Sequence, residues 1–544
     1  MVRSALLVLA GFASIAVFLY QPALDGPFLS DDYSLIIHNP WIHSLSGPAL
    51  RDLLQPFGGA TRATGNWAPV HLLAHALEAR VFGSAVRGYH LVNVLLHAGN
   101  ATLLLALFVR HGVPPLAALC GALLFLVHPA NVEAVAWISQ LKSVLALTAG
   151  LGALLLAPRS PLAALLLFLL ASLTKPVAIG FVAFEAVRLL GVRRPRERSG
   201  WGWLAAWALV AVLTAVPAFA AFGQVGAFRA EGAPEGLAKL RWMASLLGRY
   251  VALALTSWGS SAFAQPIPPQ RWLDPWVVLG LLALALCAAR AAWTLAKGRV
   301  EAAFWALACA GYLPVAQWFP FKFPIADRYL YFVLPGLLGA GLLALPAAPP
   351  RRHWVSWVAG SCALLVALGL AARARERAGV WSSGEALLTD AAIHYPQGTQ
   401  AQLLRATAAA RAAQPEPALE ALERARAQGF DDPVALAQDP AFVPLRSDPR
   451  FRLLVREMAL EQIRRLRALP DPGRLDLQRL GMLHFLREEW SEAETAFRAA
   501  LDAEGPGDPE SLRRLIAAAG RERQRRHELP APPPAAAMPP AATP

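Results

Sequence analysis

Apolar runs about as long as a bilayer core is thick recur from residue 4 to residue 372, and a chain that must bury so many of them has few places to fold other than a membrane. Composition agrees: 56% of the 544 residues are hydrophobic and only 16% are charged, with a mean hydropathy of +0.42. A crossing helix needs roughly 20 apolar residues, because lipid offers no water to unpaired backbone groups. Eleven spans are predicted, near 4–20, 91–110, 114–128, 142–157, 161–173, 176–191, 201–222, 276–296, 301–319, 329–346 and 354–372. The first follows Arg3 and also has the length of a signal peptide. Gln21-Pro22-Ala23-Leu24-Asp25 offers no small-x-small cleavage site, so the helix is read as retained.

Charge orients these spans. Much of the net charge of +13 sits in short loops, as Arg193, Arg194, Arg196 and Arg198, then Lys297 and Arg299, then Arg351 and Arg352. Such loops follow the positive-inside bias rather than mark nucleic-acid binding, and they place the N-terminus in the cytoplasm. Alternation holds only if residues 239–265, with Lys239, Arg241, Arg249 and Trp258, lie on the outer surface or re-enter instead of crossing. The C-terminal region then emerges outside. Asp31, Asp32, the stretch from His128 to Trp137, Lys175, the 258–272 loop and Asp327-Arg328 share that face. Cys120, Cys287, Cys309 and Cys362 stand singly in or beside apolar stretches, without metal-ligand spacing, and read as small core hydrophobes with no disulfide framework.

Three regions follow: a transmembrane domain over 1–380, a helical repeat domain over 381–505, and a charged helix end with a Pro/Ala tail over 506–544. The fold class is all-α. Past residue 380 no run is long enough to span. Leu480-Gly481-Met482 through Phe485, Trp490, Ala493, Ala496, Phe497 and Ala500 puts small and aromatic residues where a tetratricopeptide-type helix pair wants them. Residues 401–426 read as an eroded repeat, and 439–451 as a short closing segment. Beyond Glu528 the tail has no packable face.

The polar motifs sit at span ends. Asp31-Asp32-Tyr33 follows the first span, and two adjacent carboxylates at a low-dielectric boundary repel each other. One raised pKa or a bound divalent cation relieves that repulsion, and the raised pKa suits general-base chemistry; a helix N-cap or solvated turn is the bland alternative. His71 and His75 share a helical face, as do His90, Asn93 and His97, giving a polar stripe that faces the bundle interior; no carboxylate recurs at ligand spacing, so no metal site is assigned. His128-Pro129 leads to Glu133, an isolated acid at a membrane exit that needs a partner or a task; a helix restarted after Pro129 also accounts for it. Lys175-Pro176 and Asp327-Arg328-Tyr329 complete the set, with Arg328 and Lys175 suited to a lipid phosphate; a purely structural Asp327–Arg328 arrangement is the alternative.

The order of these motifs, with Trp67-x-Pro69, Tyr89-His90-Leu91-Val92-Asn93 through His97, and Glu133-x-Val135-Ala136-Trp137, resembles the bacterial transmembrane and tetratricopeptide-repeat proteins. These are similar to the eukaryotic repeat-bearing protein O-mannosyltransferases and, more distantly, to the GT-C glycosyltransferases. The resemblance covers about residues 1–380 and, loosely, the repeats. It implies a sugar, mannose by inheritance, moved from a polyprenyl-phosphate carrier to a protein or glycan acceptor on the outer face of a bacterial inner membrane, by inversion. Asp31 or Asp32 would be the base, Arg328 and Lys175 would hold the donor phosphate, Glu133 would serve catalysis or orient the acceptor, and His90, Asn93, His128 and Asp327 would line the site. Where relatives carry Arg-Lys-Asp or Arg-Ala-Asp after the tryptophan, this chain has Leu141-Lys142-Ser143. A membrane-anchored scaffold that recruits envelope partners through its repeats is the alternative; neither reading involves nucleic acid.

Overall fold

A computed structural model describes residues 2–191, 198–224, 234–257, 259–321, 323–345, 353–469, 472–503 and 508–528. Arg193, Arg194, Arg196, Arg351, Arg352, Trp258 and the Pro/Ala tail lie outside the described residues. The protein is all-α: helices cover each of the eleven apolar runs, and among the described residues the one departure toward β-structure is a lone bridge between Ala264 and Ile325. Arg3–Ala23, Val86–Arg110, Ile138–Leu156, Gly200–Gly223 and Pro275–Ala296 are each long and apolar enough to cross a membrane. Pro115–Val127 and Pro129–Ala136, bent by 52°, form a sixth, broken span, while Pro161–Thr174, Glu301–Val315 and Leu334–Ala344 are shorter apolar helices. The chain is thus a multi-pass membrane protein. Prolines open several of these helices at the first turn, where a missing N–H costs nothing, as at Pro115, Pro161 and Pro275.

The described contacts fall into two units, residues 1–405 with 424–429, and residues 406–423 with 430–544. In the first, the Val86–Arg110 helix is central, packing on Val2–Tyr20, Pro115–Val127 and Leu141–Leu156. Phe304 packs against Phe108 and Phe184 at ring separations of 5.9 and 5.0 Å. Cys309 and Cys362 are exposed on helix surfaces instead of buried, a correction to their reading as core residues: on the outside of a span, lipid accepts a small apolar side chain as well as protein does.

Residues 239–265 contain one unbroken helix, Gly236–Thr256, rather than a re-entrant pair. Lys239 Nζ donates to the Trp318 carbonyl at 2.7 Å, and the Tyr250 hydroxyl accepts from Ala326 N at 3.1 Å, so the helix runs against the 313–333 connection. It crosses Pro275–Ala296 backbone to backbone. A Cβ on Gly280 would stand 1.8 Å from the Ala244 carbonyl, and one on Gly248 would stand 2.1 Å from that of Trp276. Only glycine permits this approach. Gly280→Ala is expected to push the pair apart and destabilise by about 1–3 kcal/mol, read as a drop in thermal unfolding temperature in detergent.

The second unit is built of successive helices, among them Pro449–Arg467, Arg474–Leu486, Trp490–Asp502 and Pro509–Glu528. Ala493, Phe497, Ala500, Leu512 and Ala519 form one hydrophobic cluster of this unit, and Ala459, Ile463 and Leu483 another. The Phe497 ring lies where a Cβ of Gly481 would be, 2.4 Å away, so the glycine sets how closely those two helices pack. Phe485 meets Trp490 edge-on at 4.8 Å. Between Pro433–Gln438 and Pro449–Arg467, Asp439 and Asp448 cap the turns at Ala441 N and Arg450 N.

Candidate active site

Pro129 cannot continue the helix that ends at Val127, so the chain breaks into two 3₁₀ turns around the short helix Val132–Ala136 before restarting at Leu141. Broken backbone at membrane depth must find partners inside the protein. The polar stripe on Val86–Arg110 supplies them. Asn93 Nδ2 donates to the carbonyls of Trp137 and Ile138 at 3.1 and 3.3 Å, His97 Nε2 to that of Leu126 at 3.0 Å, and Asn100 Nδ2 to that of Val144 at 2.9 Å. His128 Nδ1 accepts from Ala130 N, and its Nε2 bonds the Ala254 carbonyl at 3.0 Å. His90 Nε2 bonds the Gly26 carbonyl at 3.2 Å. His90, Asn93 and His128 therefore hold backbone in place around the site.

The acidic pair divides its work. Ser30 adopts φ +51°, turning the chain so that Asp31 is exposed and Asp32 buried. Asp32 Oδ2 accepts from Leu29 N at 2.8 Å, and Oδ1 accepts from Ser139 N at 2.8 Å and from the Ser139 hydroxyl. One carboxylate thus pins the first loop to the broken segment 107 residues away. Burial pushes Asp32 up from 3.8 to about 6, against the lowering effect of those hydrogen bonds and of His75. Among the described residues the Asp31 carboxylate accepts one hydrogen bond, from the Ser30 hydroxyl at 3.4 Å.

Between about pH 4 and 6 the folded protein holds a proton on Asp32 that the unfolded chain has released, so stability is greatest below that window and falls as pH rises through about 6. The fall is on the order of 3 kcal/mol. Asp327, also raised by burial and then by Glu133, adds in the same direction. Thermal unfolding across a pH series checks this: Asp32→Asn should flatten the limb near pH 6, and an unchanged profile would mean that Asp32 does not carry it.

Opposite the acidic turn stand three cations. Glu133, 3% exposed, accepts from Arg328 N at 2.9 Å through Oε2 and from the Arg328 guanidinium through Oε1. That guanidinium lies over the rings of Trp137 and Tyr329 at 5.4 and 5.0 Å. Burial works against its charge, but Glu133, Tyr329 and Asp31 outweigh burial and hold it above its ordinary range. Lys175 Nζ donates to the Ser143 hydroxyl at 2.8 Å and lies 5.4 Å from the Phe332 ring centre. Burial, then the neighbouring Lys142 and Arg328, push Lys175 well below its usual range. Neither lysine makes an ion pair among the described residues. Asp327 Oδ2 accepts from the Ser260 hydroxyl, and among the described residues its buried Oδ1 has no hydrogen-bond partner.

The structure thus gathers Asp31, Asp32, Glu133, Lys175 and Arg328 at one end of the bundle, with His90, Asn93 and His128 as supports. Sequence reasoning passed over Ser139 and gave Lys142 and Ser143 as a departure from the relatives' pattern, with no role in the site. The one available signal was a lysine at the opening of an apolar run, where a charge is costly without a ligand or partner. Among the described residues no group of three or more side chains is arranged to hold a metal ion.

Fold and site together define a helical multi-pass membrane protein in which Lys142, Lys175 and Arg328 gather near the acidic turn at one bundle end. No family model matches the chain. It is 36% identical over 133 residues to protein O-mannosyl-transferase Tmtc1 of Drosophila melanogaster, 30% over 151 residues to protein O-mannosyl-transferase F38B6.6 of Caenorhabditis elegans, and 29% over 142 residues to protein O-mannosyl-transferase TMTC4 of Homo sapiens. These similarities cover 24%, 26% and 23% of this chain, and 15%, 22% and 19% of the length of those curated relatives.

Proposed function

We propose that this protein is a glycosyltransferase of the polyprenyl-phosphate-dependent, inverting kind, moving a sugar, mannose by the resemblance, to a protein or glycan acceptor. The observation that carries the reading is the convergence of Lys142, Lys175 and Arg328 beside Asp31, with one carboxylate, Glu133, committed to Arg328. Ser143 gives Lys175 a hydroxyl in place of a carboxylate, so an anion bound beside it would favour the charged form that burial and the neighbouring cations disfavour. In the reaction the acceptor oxygen bonds to the anomeric carbon as the bond from that carbon to the phosphate oxygen breaks. The acceptor's proton passes to Asp31, and the charge growing on the phosphate faces the three cations. Asp32 and Glu133 act as positioning residues, the first for the acidic turn and the second for Arg328.

The proposal includes a bacterial inner-membrane location, with the N-terminus cytoplasmic and the site on the outer face. Residues 1–380 would be the catalytic domain, 381–505 a tetratricopeptide-like surface for an extended acceptor, and 506–544 an appendage. The test is transfer by the purified full-length protein from a panel of radiolabelled polyprenyl-phosphate sugars to a periplasmic extract. Label on protein or glycan supports the enzyme and names the sugar. Donors left intact, while residues 381–505 of the full-length chain capture envelope proteins, would give the scaffold reading precedence.

A further inference from the structure

Three helices, Pro161–Thr174, Ile179–Gly191 and Arg198–Gln224, border a cavity of about 230 Å³ that the chemistry above leaves unused. It lies at the end of the bundle away from the acidic turn. From His90, bonded to the Gly26 carbonyl beside that turn, the Val86–Arg110 helix rises about 30 Å to Arg110, the thickness of a bilayer core. There Arg110 Nη1 donates to the Leu155 carbonyl at 3.2 Å, and Arg159 N to that of Leu156 at 2.9 Å. Both arginines therefore flank Ala157 and Pro158, which line the cavity. His111, the next residue along, meets Phe184 edge-on at 5.4 Å, one residue before Glu185 in the same lining.

The lining is of two kinds. Glu185 and Arg188, with side chains 10% and 16% exposed, are joined by two hydrogen bonds at 2.8 and 2.6 Å. Pro161, Trp203, Leu204 and Trp207 make an apolar part, and Trp207 is held by stacking on Phe168 at 4.6 Å. Glu185 is committed to Arg188, so three arginines stand against one acid at this cavity among the described residues. Guanidinium matches phosphate oxygens with paired hydrogen bonds. The volume is below the ~300 Å³ at which pockets for drug-sized ligands begin, which suits a headgroup rather than a whole lipid. Leu162, Leu166, Leu209 and Leu213 are exposed on the flanking helices, where lipid chains cover them.

We propose that this cavity binds the headgroup of an anionic glycerophospholipid from the leaflet on that side. The phosphate faces Arg188, with Arg110 and Arg159 at the rim, and a headgroup hydroxyl donates to Glu185. The glycerol backbone lies beside the two indoles, and the acyl chains leave along the exposed leucines. Basic pockets between membrane helices take anionic headgroups in this way. The site is separate from the acidic turn and independent of what is transferred there.

Native mass spectrometry of the full-length protein in detergent, titrated with phosphatidylglycerol or phosphatidylcholine, tests this. Wild type should hold phosphatidylglycerol about tenfold more tightly, because the other headgroup is neutral and has no hydroxyl to donate. Arg159→Gln changes an exposed residue and keeps the fold; it should weaken phosphatidylglycerol about fivefold and leave phosphatidylcholine as before. Arg188→Gln removes the guanidinium that lines the cavity and should cost at least about tenfold. Arg299 belongs to the same bundle end, where Gly298 approaches Gly191, but lies outside the cavity lining, so Arg299→Gln should change nothing. Equal binding of the two lipids, or equal weakening by Arg299→Gln and Arg159→Gln, would overturn the proposal and leave a diffuse basic surface. Inorganic phosphate that displaces phosphatidylglycerol and raises the unfolding temperature as much as the lipid does would overturn it in favour of a free-anion site.

Discussion

Asp31→Asn is expected to lower sugar transfer by about 10²- to 10⁴-fold, the usual contribution of an aligned general base, while stability changes by no more than about 0.5 kcal/mol. Position dictates both halves. Asp31 is exposed, and its carboxylate makes one long contact to Ser30, so the amide disturbs nothing that holds the fold. Yet it lies near enough to Arg328 to favour that cation, and so near the place where a phosphate would bind. Asp32→Asn should separate from it cleanly. An amide cannot accept equally from Leu29 N, Ser139 N and the Ser139 hydroxyl, so the acidic turn loosens and both activity and unfolding temperature fall. Transfer assays beside thermal unfolding read the difference. Full activity in Asp31→Asn would remove this residue from the chemistry.

Glu133→Ala should be the most damaging single change to stability, by roughly 3–5 kcal/mol, because it leaves a buried guanidinium without its counter-charge. The loss is compounded by the neighbours. With the carboxylate gone, Arg328 faces Lys142 and Lys175 with the exposed Asp31 as its remaining nearby counter-charge, and Arg328 N also loses its acceptor at 2.9 Å. Glu133→Gln keeps an acceptor for that N–H but not the charge, and should fall between wild type and alanine. Thermal unfolding in detergent ranks the three. Inorganic phosphate or farnesyl phosphate should restore part of the alanine variant's stability, since an anion bound beside the cations would do for them what Glu133 did. A loss below about 1 kcal/mol would show that solvent reaches Arg328.

Several site residues were legible because their chemistry is expensive where they stand. An acid pair at a span end, an isolated glutamate, and Lys175 and Arg328 at boundaries each need a partner or a ligand, and residue type with hydropathy is enough to single them out. The polar stripe of His90, Asn93 and His97 was legible as inward-facing, since helical periodicity is local. Its task was not. It serves carbonyls freed by a break around Pro129, some 44 residues away for Asn93, and nothing in either stretch names the other.

By itself, then, the sequence determined a helical membrane chain, the residues at which charge meets lipid, and a charged helical region after residue 380, because length, periodicity and composition act over neighbouring residues. Only the tertiary structure decided which carboxylate is exposed and which is fastened, that Glu133 belongs to Arg328 across 195 residues, and that Lys142 and Ser143 come to lie beside Lys175. Those outcomes depend on which helix ends meet. Meeting is set by glycine crossings, broken helices and buried hydrogen bonds between distant segments, and these forces have no footprint in local pattern.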